Sequence, residues 1–236
     1  MGQRQLSAAD GFTFGAYEAR PAGTPKGGVV VIQEIFGVNP HIRAVADGYA
    51  KAGYYAIAPQ IFDRVEPNVE LGYTAQADFD KGLRFAFTDM KMDNTLADVQ
   101  AAIDAAAAHG KVGVVGYCFG GLLTWLAACT LDHVAAASAY YGGGIAREAG
   151  RVARCPVMMH FGEKDAHIPM TDVEIIRKAQ PDVQVFVYDA DHGFNCDERA
   201  SYDAQSAATA RSRTLAHFDK HLSAPDDFDQ TVVMPR

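Results

Sequence analysis

Short, nearly unbroken apolar runs alternate along this chain with segments whose apolar positions recur at helical spacing. GGVVVIQEIF (27–36) is β-branched and almost continuous, the pattern of a strand buried on both faces. Pro40 to Gly53 follows as a helix, with Asn39 placed to cap its start and Gly53 just past its end. YYAIAPQIF (54–62) is the next strand, and a helix with poorly marked ends covers about 76–90. Asp93 or Asn94 can cap an alanine-rich helix over 95–109, which His109-Gly110 closes. KVGVVGY (111–117) is again a strand, and Gly120 to Cys129 a helix. The theme repeats with strands at 133–141, 156–162 and 183–190, a helix from Thr171 to just before Pro181, and a last helix over 200–221. Residues ahead of Gly27 and the tail 222–236 receive no element. Strands alternating with helices at this spacing imply right-handed crossovers and an α/β fold, a mostly parallel sheet with helices on both faces. No repeat or linker divides the chain, so a single domain is expected over 1–236, its core at about 12–221.

Composition narrows the partners. Twenty-one basic against 29 acidic side chains leave a net charge of −8, which disfavours nucleic acid and anionic membranes. No apolar run nears the roughly 18–20 residues of a spanning helix, and MGQRQLSAADG lacks the apolar core of a secretory signal. A cytoplasmic protein without a membrane partner is the expectation. Cys118, Cys129, Cys155 and Cys196 include no C-x-x-C pair, so neither a disulfide framework nor a structural zinc site is expected.

The most informative stretch is Gly116-Tyr117-Cys118-Phe119-Gly120-Gly121, where a buried strand hands over to a helix. It matches the G-x-S-x-G nucleophile elbow with cysteine in place of serine. Such a turn strains the backbone of the nucleophile and leaves no room for a Cβ at the flanking positions. It also sets Cys118 at a helix N-terminus, where exposed N–H groups favour a thiolate and can hold an oxyanion. By itself the motif also fits a buried cysteine in a glycine-rich turn. An acid and then a histidine, each following a later strand, would complete a triad. Asp165 in HFGEKDAHIP (160–169) and His192 in YDADHGF (188–194) satisfy that order. Both fall just beyond strand C-termini, where open α/β sheets bind ligands. His192 would accept the thiol proton, and Asp165 would fix the ring's tautomer and stabilise its charged form. Asp189 and Asp191 are rivals for the acid, although an Asp so close to the histidine usually serves the turn. His160 reads as a strand-end residue and His167 as a loop residue, and spacing gives no support to a metal held by His160, Asp165 and His192.

With those three residues placed, the chain resembles the dienelactone hydrolase (carboxymethylenebutenolidase) family of α/β-hydrolases. The likeness rests on QEIFG (33–37), GYCFGG (116–121), YYG (140–142), FGEKD (161–165) and DHGF (191–194), and runs from about residue 12 to 221. It implies an α/β-hydrolase fold, no cofactor, and a small ester or lactone as the substrate of a monomer or small homo-oligomer. It also implies that Glu34 contacts the resting Cys118 thiol and suppresses its ionisation until substrate displaces it, because a neighbouring carboxylate disfavours a thiolate. The backbone N–H groups of Ile35 and Phe119 are implied as the oxyanion hole. Phe36, Tyr140, Tyr141, Phe194 and Arg84 are candidates for the substrate pocket. One departure bears on specificity. The family holds its substrate's carboxylate with arginines, one a few residues past the catalytic histidine and one ahead of the helix near residue 80. Here the corresponding stretches read GFNC (193–196) and LGYTAQADFDKG (71–82), with Arg199 the nearest arginine to the first and Arg64, Lys81 and Arg84 available near the second.

The implied reaction is cysteine-dependent opening of an enol-lactone such as 4-carboxymethylenebut-2-en-4-olide to maleylacetate, a step in aromatic catabolism, through a thioester. A broader carboxylesterase for neutral activated esters is the alternative. A non-catalytic ligand-binding relative and a redox-sensing thiol at Cys118 are further readings. No long insertion separates the strands, so an open or shallow-lidded pocket is expected.

Overall fold

The computed structural model describes residues 1–223; of the tail left without an element, 224–236 lie outside the described residues. Eight strands are formed: β1 (Gly2–Ser7), β2 (Thr13–Ala19), β3 (Gly28–Ile32), β4 (Tyr55–Pro59), β5 (Val112–Tyr117), β6 (Val134–Tyr140), β7 (Val157–Gly162) and β8 (Gln184–Tyr188). They make one sheet in the order β1-β2-β4-β3-β5-β6-β7-β8, parallel from β4 to β8 and antiparallel at β1 and β2. Every residue of β3 and β5 is buried, as their unbroken apolar sequences require.

Each strand expected from residue 27 onward is present but shorter. The apolar run at 27–36 pairs only as far as Ile32; Gln33, Glu34, Ile35 and Phe36 leave the sheet yet stay buried in the loop above it. The β1–β2 hairpin was not foreseen. Only Leu6 of β1 is fully buried, so this edge strand lacks the apolar run that marks its neighbours.

Among the described residues six α-helices flank the sheet: α1 (Pro40–Lys51), α2 (Gln76–Arg84), α3 (Met92–Ala107), α4 (Phe119–Thr130), α5 (Met170–Ala179) and, after the last strand, α6 (Ala204–Leu222). Asn39 caps α1 as expected, its Oδ1 accepting from Ile42 N at 3.2 Å. The segment at 76–90 is not one regular helix, since α2 widens into a π-turn at Phe85–Asp89. Helix α3 begins ahead of Asp93 and Asn94, which lie within its first turn instead of capping it. The last helix starts at Ala204, capped by Asp203, not at 200. Helices α1 and α6 share one face, where Arg211 Nη2 donates to Gly48 O at 2.9 Å, and α3 and α4 pack together on the other. No helix among the described residues is long and apolar enough to cross a membrane.

Candidate active site

The parallel strands deliver their C-terminal ends to one rim, and the predicted residues gather there. Cys118 follows β5 with φ 55° and ψ −115°, a backbone region that side chains rarely occupy. Its N–H donates to Tyr140 O of the neighbouring strand at 3.0 Å, while its carbonyl accepts from Gly121 N at 2.9 Å. The flanking glycines are fixed by space. A Cβ on Gly116 would collide with the Gly120 carbonyl and Thr124 Oγ1, and one on Gly120 with the carbonyls of Ile32 and Gln33. The strain at Cys118 holds its side chain up at the mouth of α4, partly exposed while strand and helix meet beneath it.

Asp165 and His192 come together as expected. His192 Nδ1 lies 2.7 Å from Asp165 Oδ2, and both side chains are nearly fully buried. The second carboxylate oxygen accepts from the backbone N–H groups of His167 and Ile168 at 2.8 and 3.1 Å, which orients the acid before any substrate arrives. Burial alone would push the His192 pKa down. The adjacent Cys118 and the hydrogen bond that the ring donates to Asp165 outweigh it and raise the value to about 10. Below that pH the imidazole carries both of its protons, Nδ1–H toward the acid and Nε2–H toward the sulfur, so the thiol's proton already lies on the ring. The rival acids take turn and surface roles. Asp191 Oδ1 accepts from the His192 backbone N–H at 2.6 Å, and Asp189 pairs with Lys164 in solvent. His160 sits within β7, wholly buried, with Tyr188 Oη at 2.8 Å and Thr214 Oγ1 at 3.1 Å. Both its nitrogens are engaged in the core. His167 is exposed, its ring edge-on to His192 at 5.2 Å.

Glu34 differs from the implied resting contact. Its Oε1 accepts from Arg199 Nη1 at 3.3 Å, its Oε2 has no hydrogen-bond partner, and no bond to the Cys118 thiol is formed. A guanidinium is a stronger partner for a buried carboxylate than a neutral thiol, which explains the choice. Arg199 is the residue that sequence spacing underrated. It lies seven positions beyond His192, but its guanidinium folds back over Gly193, near enough to Glu34 and Cys118 that their charges raise its pKa. The left-handed turn at Gly193 (φ 78°) leaves the space that Arg199 fills.

The other cations considered for a carboxylate clamp are each engaged by a carboxylate of the protein itself. Arg64 is held by Asp10 and Asp98, Lys81 by Glu66, and Arg84 by Asp89 with 61% of its side chain exposed. Arg84 is thus a surface ion pair and not a pocket residue, because the helical twist at the end of α2 carries it to the solvent side.

Ile35 sits in the buried loop after β3, and Phe119 opens α4, so its N–H has no partner within that helix. Helix α2 lies directly on this loop at Gly82, whose missing Cβ admits the Ile35 carbonyl. Tyr141 (φ 35°) is buried beside the site, its ring 5.1 Å from His192 and its hydroxyl unpartnered. Tyr140 is instead a core residue, its hydroxyl bonded to Thr214 Oγ1 at 2.8 Å and its ring packed 4.7 Å from Tyr117. Phe194 is buried against Tyr141 and Tyr188, supporting the site from below. Phe36 packs 4.6 Å from Tyr73 under the Arg199 guanidinium. Phe87, in the π-turn, was not anticipated; it is 63% exposed and stands edge-on to Phe119 at 5.4 Å. Only the π-turn turns it toward the elbow, and no periodicity marks that.

A strained strand-to-helix elbow carrying a cysteine, a histidine–carboxylate pair and two loops at the sheet's C-terminal rim define an α/β-hydrolase. The chain belongs to the dienelactone hydrolase family, whose model matches residues 14–222. It is 38% identical over 218 residues to a "Putative carboxymethylenebutenolidase" of Synechocystis sp., covering 82% of this chain and 86% of that one. It is 33% identical over 220 residues to the carboxymethylenebutenolidase of Pseudomonas putida, covering 89% and 92%. The crystal structure of a "Putative Dienelactone Hydrolase" from Klebsiella pneumoniae superposes with a TM-score of 0.80 at 31% identity, over 94% of this chain and all of the other.

Proposed function

We propose that this hydrolase opens an enol-lactone bearing a free carboxylate, of the 4-carboxymethylenebut-2-en-4-olide type, through a thioester on Cys118. The observation that carries the proposal is the Asp165–His192 pair, closed at 2.7 Å beside a cysteine on a strained elbow. The Cys118 sulfur, its proton taken by His192, adds to the lactone carbonyl. Backbone N–H groups of Ile35 and Phe119 receive the oxyanion, each worth about 2.7–4 kcal/mol where such donors have been removed. Collapse breaks the ring C–O bond; the enolate leaves and recovers a proton from His192. Water, deprotonated by the same imidazole, then hydrolyses the thioester and returns the thiol.

The leaving group decides the substrate class. A thiolate is itself readily expelled, so the tetrahedral adduct goes forward only if the departing oxygen is at least as good, as an enolate is. Arg199 supplies the cation that the sequence spacing left unassigned. In this reading the substrate's carboxylate competes with Glu34 for the guanidinium and frees the Glu34 side chain to move. The test is hydrolysis of cis- and trans-dienelactone beside neutral p-nitrophenyl acetate, by wild type, Cys118→Ala and Cys118→Ser. Fast dienelactone turnover that disappears in Cys118→Ala and nearly so in Cys118→Ser is expected. Full activity in Cys118→Ser would refute the thiolate mechanism, and turnover of the neutral ester alone would move the substrate to uncharged esters or lactones.

A further inference from the structure

Beside the hydrolytic site the fold assembles three potential metal ligands that the hydrolytic reaction does not use together. Glu34, His41 and Cys196 are all buried, and their ligand atoms lie within 4.8 Å of one another. They come from separate segments: the loop after β3, the first turn of α1, and the loop after His192.

Two of the three carry an unexplained polar atom. His41 Nε2 and Glu34 Oε2 are buried with no hydrogen-bond partner, although their residues are only 5% and 1% exposed. Buried nitrogen and oxygen atoms are ordinarily paired, and an orphan calls for a ligand or an ordered water. The outer contact of His41 points to a cation. Its Nδ1 lies 3.0 Å from Asp197 Oδ1, the carboxylate–imidazole contact that commonly backs a metal-binding histidine. That bond places the ring's proton on Nδ1 and leaves the buried, unpartnered Nε2 as a bare lone pair. Both oxygens of Glu34 are then accounted for, Oε1 by Arg199 and Oε2 by the cluster. A surface groove lined by His41, Asn195, Asp197, Tyr202 and Arg211 reaches the His41–Asp197 pair from outside.

We propose that Glu34, His41 and Cys196 form a binding site for one zinc-class divalent cation, with Asp197 as the carboxylate that orients His41. The donor set of thiolate, imidazole and carboxylate suits zinc, with bonds of about 2.0–2.3 Å. Small side-chain adjustments bring the three atoms to that distance, and a water completes the coordination. On binding, the Cys196 sulfur–metal bond forms as the thiol proton leaves to solvent; no electrons are transferred. The ion ties together two loops and the first turn of α1.

Cobalt(II) titration of the full-length Cys118→Ala protein tests this directly, because that variant lacks the catalytic thiol as a competing ligand. It also separates this proposal from the hydrolase reading, which predicts nothing about metal binding in an inactive variant. One equivalent of cobalt should bind with a thiolate-to-metal charge-transfer band and the intense visible bands of a four-coordinate ion, and zinc should displace it. Adding Cys196→Ser should remove the charge-transfer band, and adding His41→Gln should abolish stoichiometric binding. Asp197→Asn, on an exposed side chain that leaves the fold undisturbed, should weaken affinity about 10- to 100-fold. A folded Cys118→Ala protein that takes up no cobalt, or binds it without the thiolate band, overturns the proposal. So does a band that survives Cys196→Ser, or affinity unchanged in Asp197→Asn.

Discussion

Replacing Arg199 with methionine keeps the aliphatic length of the side chain and deletes the charge that faces Glu34. The carboxylate it abandons is 1% exposed, and Arg199 itself 19%. Removing one partner of a fully buried ion pair costs about 3–5 kcal/mol, because the remaining charge is left without compensation. The partial exposure of Arg199 admits some screening, which lowers the loss to about 2–3 kcal/mol. For a domain of this size each kcal/mol moves the melting temperature by about 2–4 °C, so Arg199→Met should melt roughly 4–12 °C below wild type. Arg199→Met combined with Glu34→Gln should regain most of that loss, since a neutral amide no longer needs the guanidinium. The same variant reports on substrate charge. A hydrogen bond to an ionised group is worth about 1.5–3 kcal/mol, so kcat/KM for a carboxylate-bearing dienelactone should fall roughly 10- to 150-fold. The rate with p-nitrophenyl acetate should change far less. The measurements are thermal melts of the single and double variants and kcat/KM on both substrates. Equal losses on the charged and neutral substrates would refute Arg199 as the carboxylate-binding group. A double variant no more stable than Arg199→Met would show that the ion pair was not the source of the stability.

Three more expectations follow from the same geometry. His192 carries a pKa raised to about 10 by Cys118 and Asp165 against burial, so activity should fall as pH rises through about 10 and the imidazole loses the proton it gives to the leaving group. The stability it contributes is full below the ordinary value near 6.5 and fades over that same rise; Asp165→Asn should move the alkaline limb of kcat/KM to lower pH, and an unmoved limb would remove Asp165 from the dyad. Gly116→Ala forces a Cβ into the Gly120 carbonyl; overpacking of this kind costs about 1–3 kcal/mol or more, and circular dichroism melts should show it together with loss of activity. Burial holds the neutral form of His160 and depresses its pKa to about 3, so its contribution to stability is complete above about 6.5 and lost as pH falls toward 3. His160→Gln should therefore melt lower at pH 7 yet lose less stability between pH 7 and pH 4 than wild type does.

The hydrophobic pattern alone determined the parallel core. Strands such as β3 and β5 are buried on both faces, and that condition leaves a continuous β-branched run in the sequence. The elbow was legible for a related reason: the glycine at 116 is demanded by the Gly120 carbonyl one turn away and the glycine at 120 by the carbonyls of Ile32 and Gln33 on the adjacent strand end, and both requirements leave a short glycine motif around the cysteine. Chain order, with an acid and a histidine each following a different strand, pointed to Asp165 and His192, and the fold brings those two to 2.7 Å of one another. The β1–β2 hairpin escaped notice because an edge strand with a single fully buried residue has no need of an apolar run. Tertiary structure alone decided what depends on approach from distant segments. It turned Arg199 back over Gly193 onto Glu34, 165 positions away in the chain, and sent Arg84 out to solvent. It likewise put Tyr140 into the core and Tyr141 beside His192, although the two are adjacent on one strand end. Long-range charge pairing and the direction of a single side chain are set by the surrounding packing, and neither recurs along the chain as a period that a sequence could display.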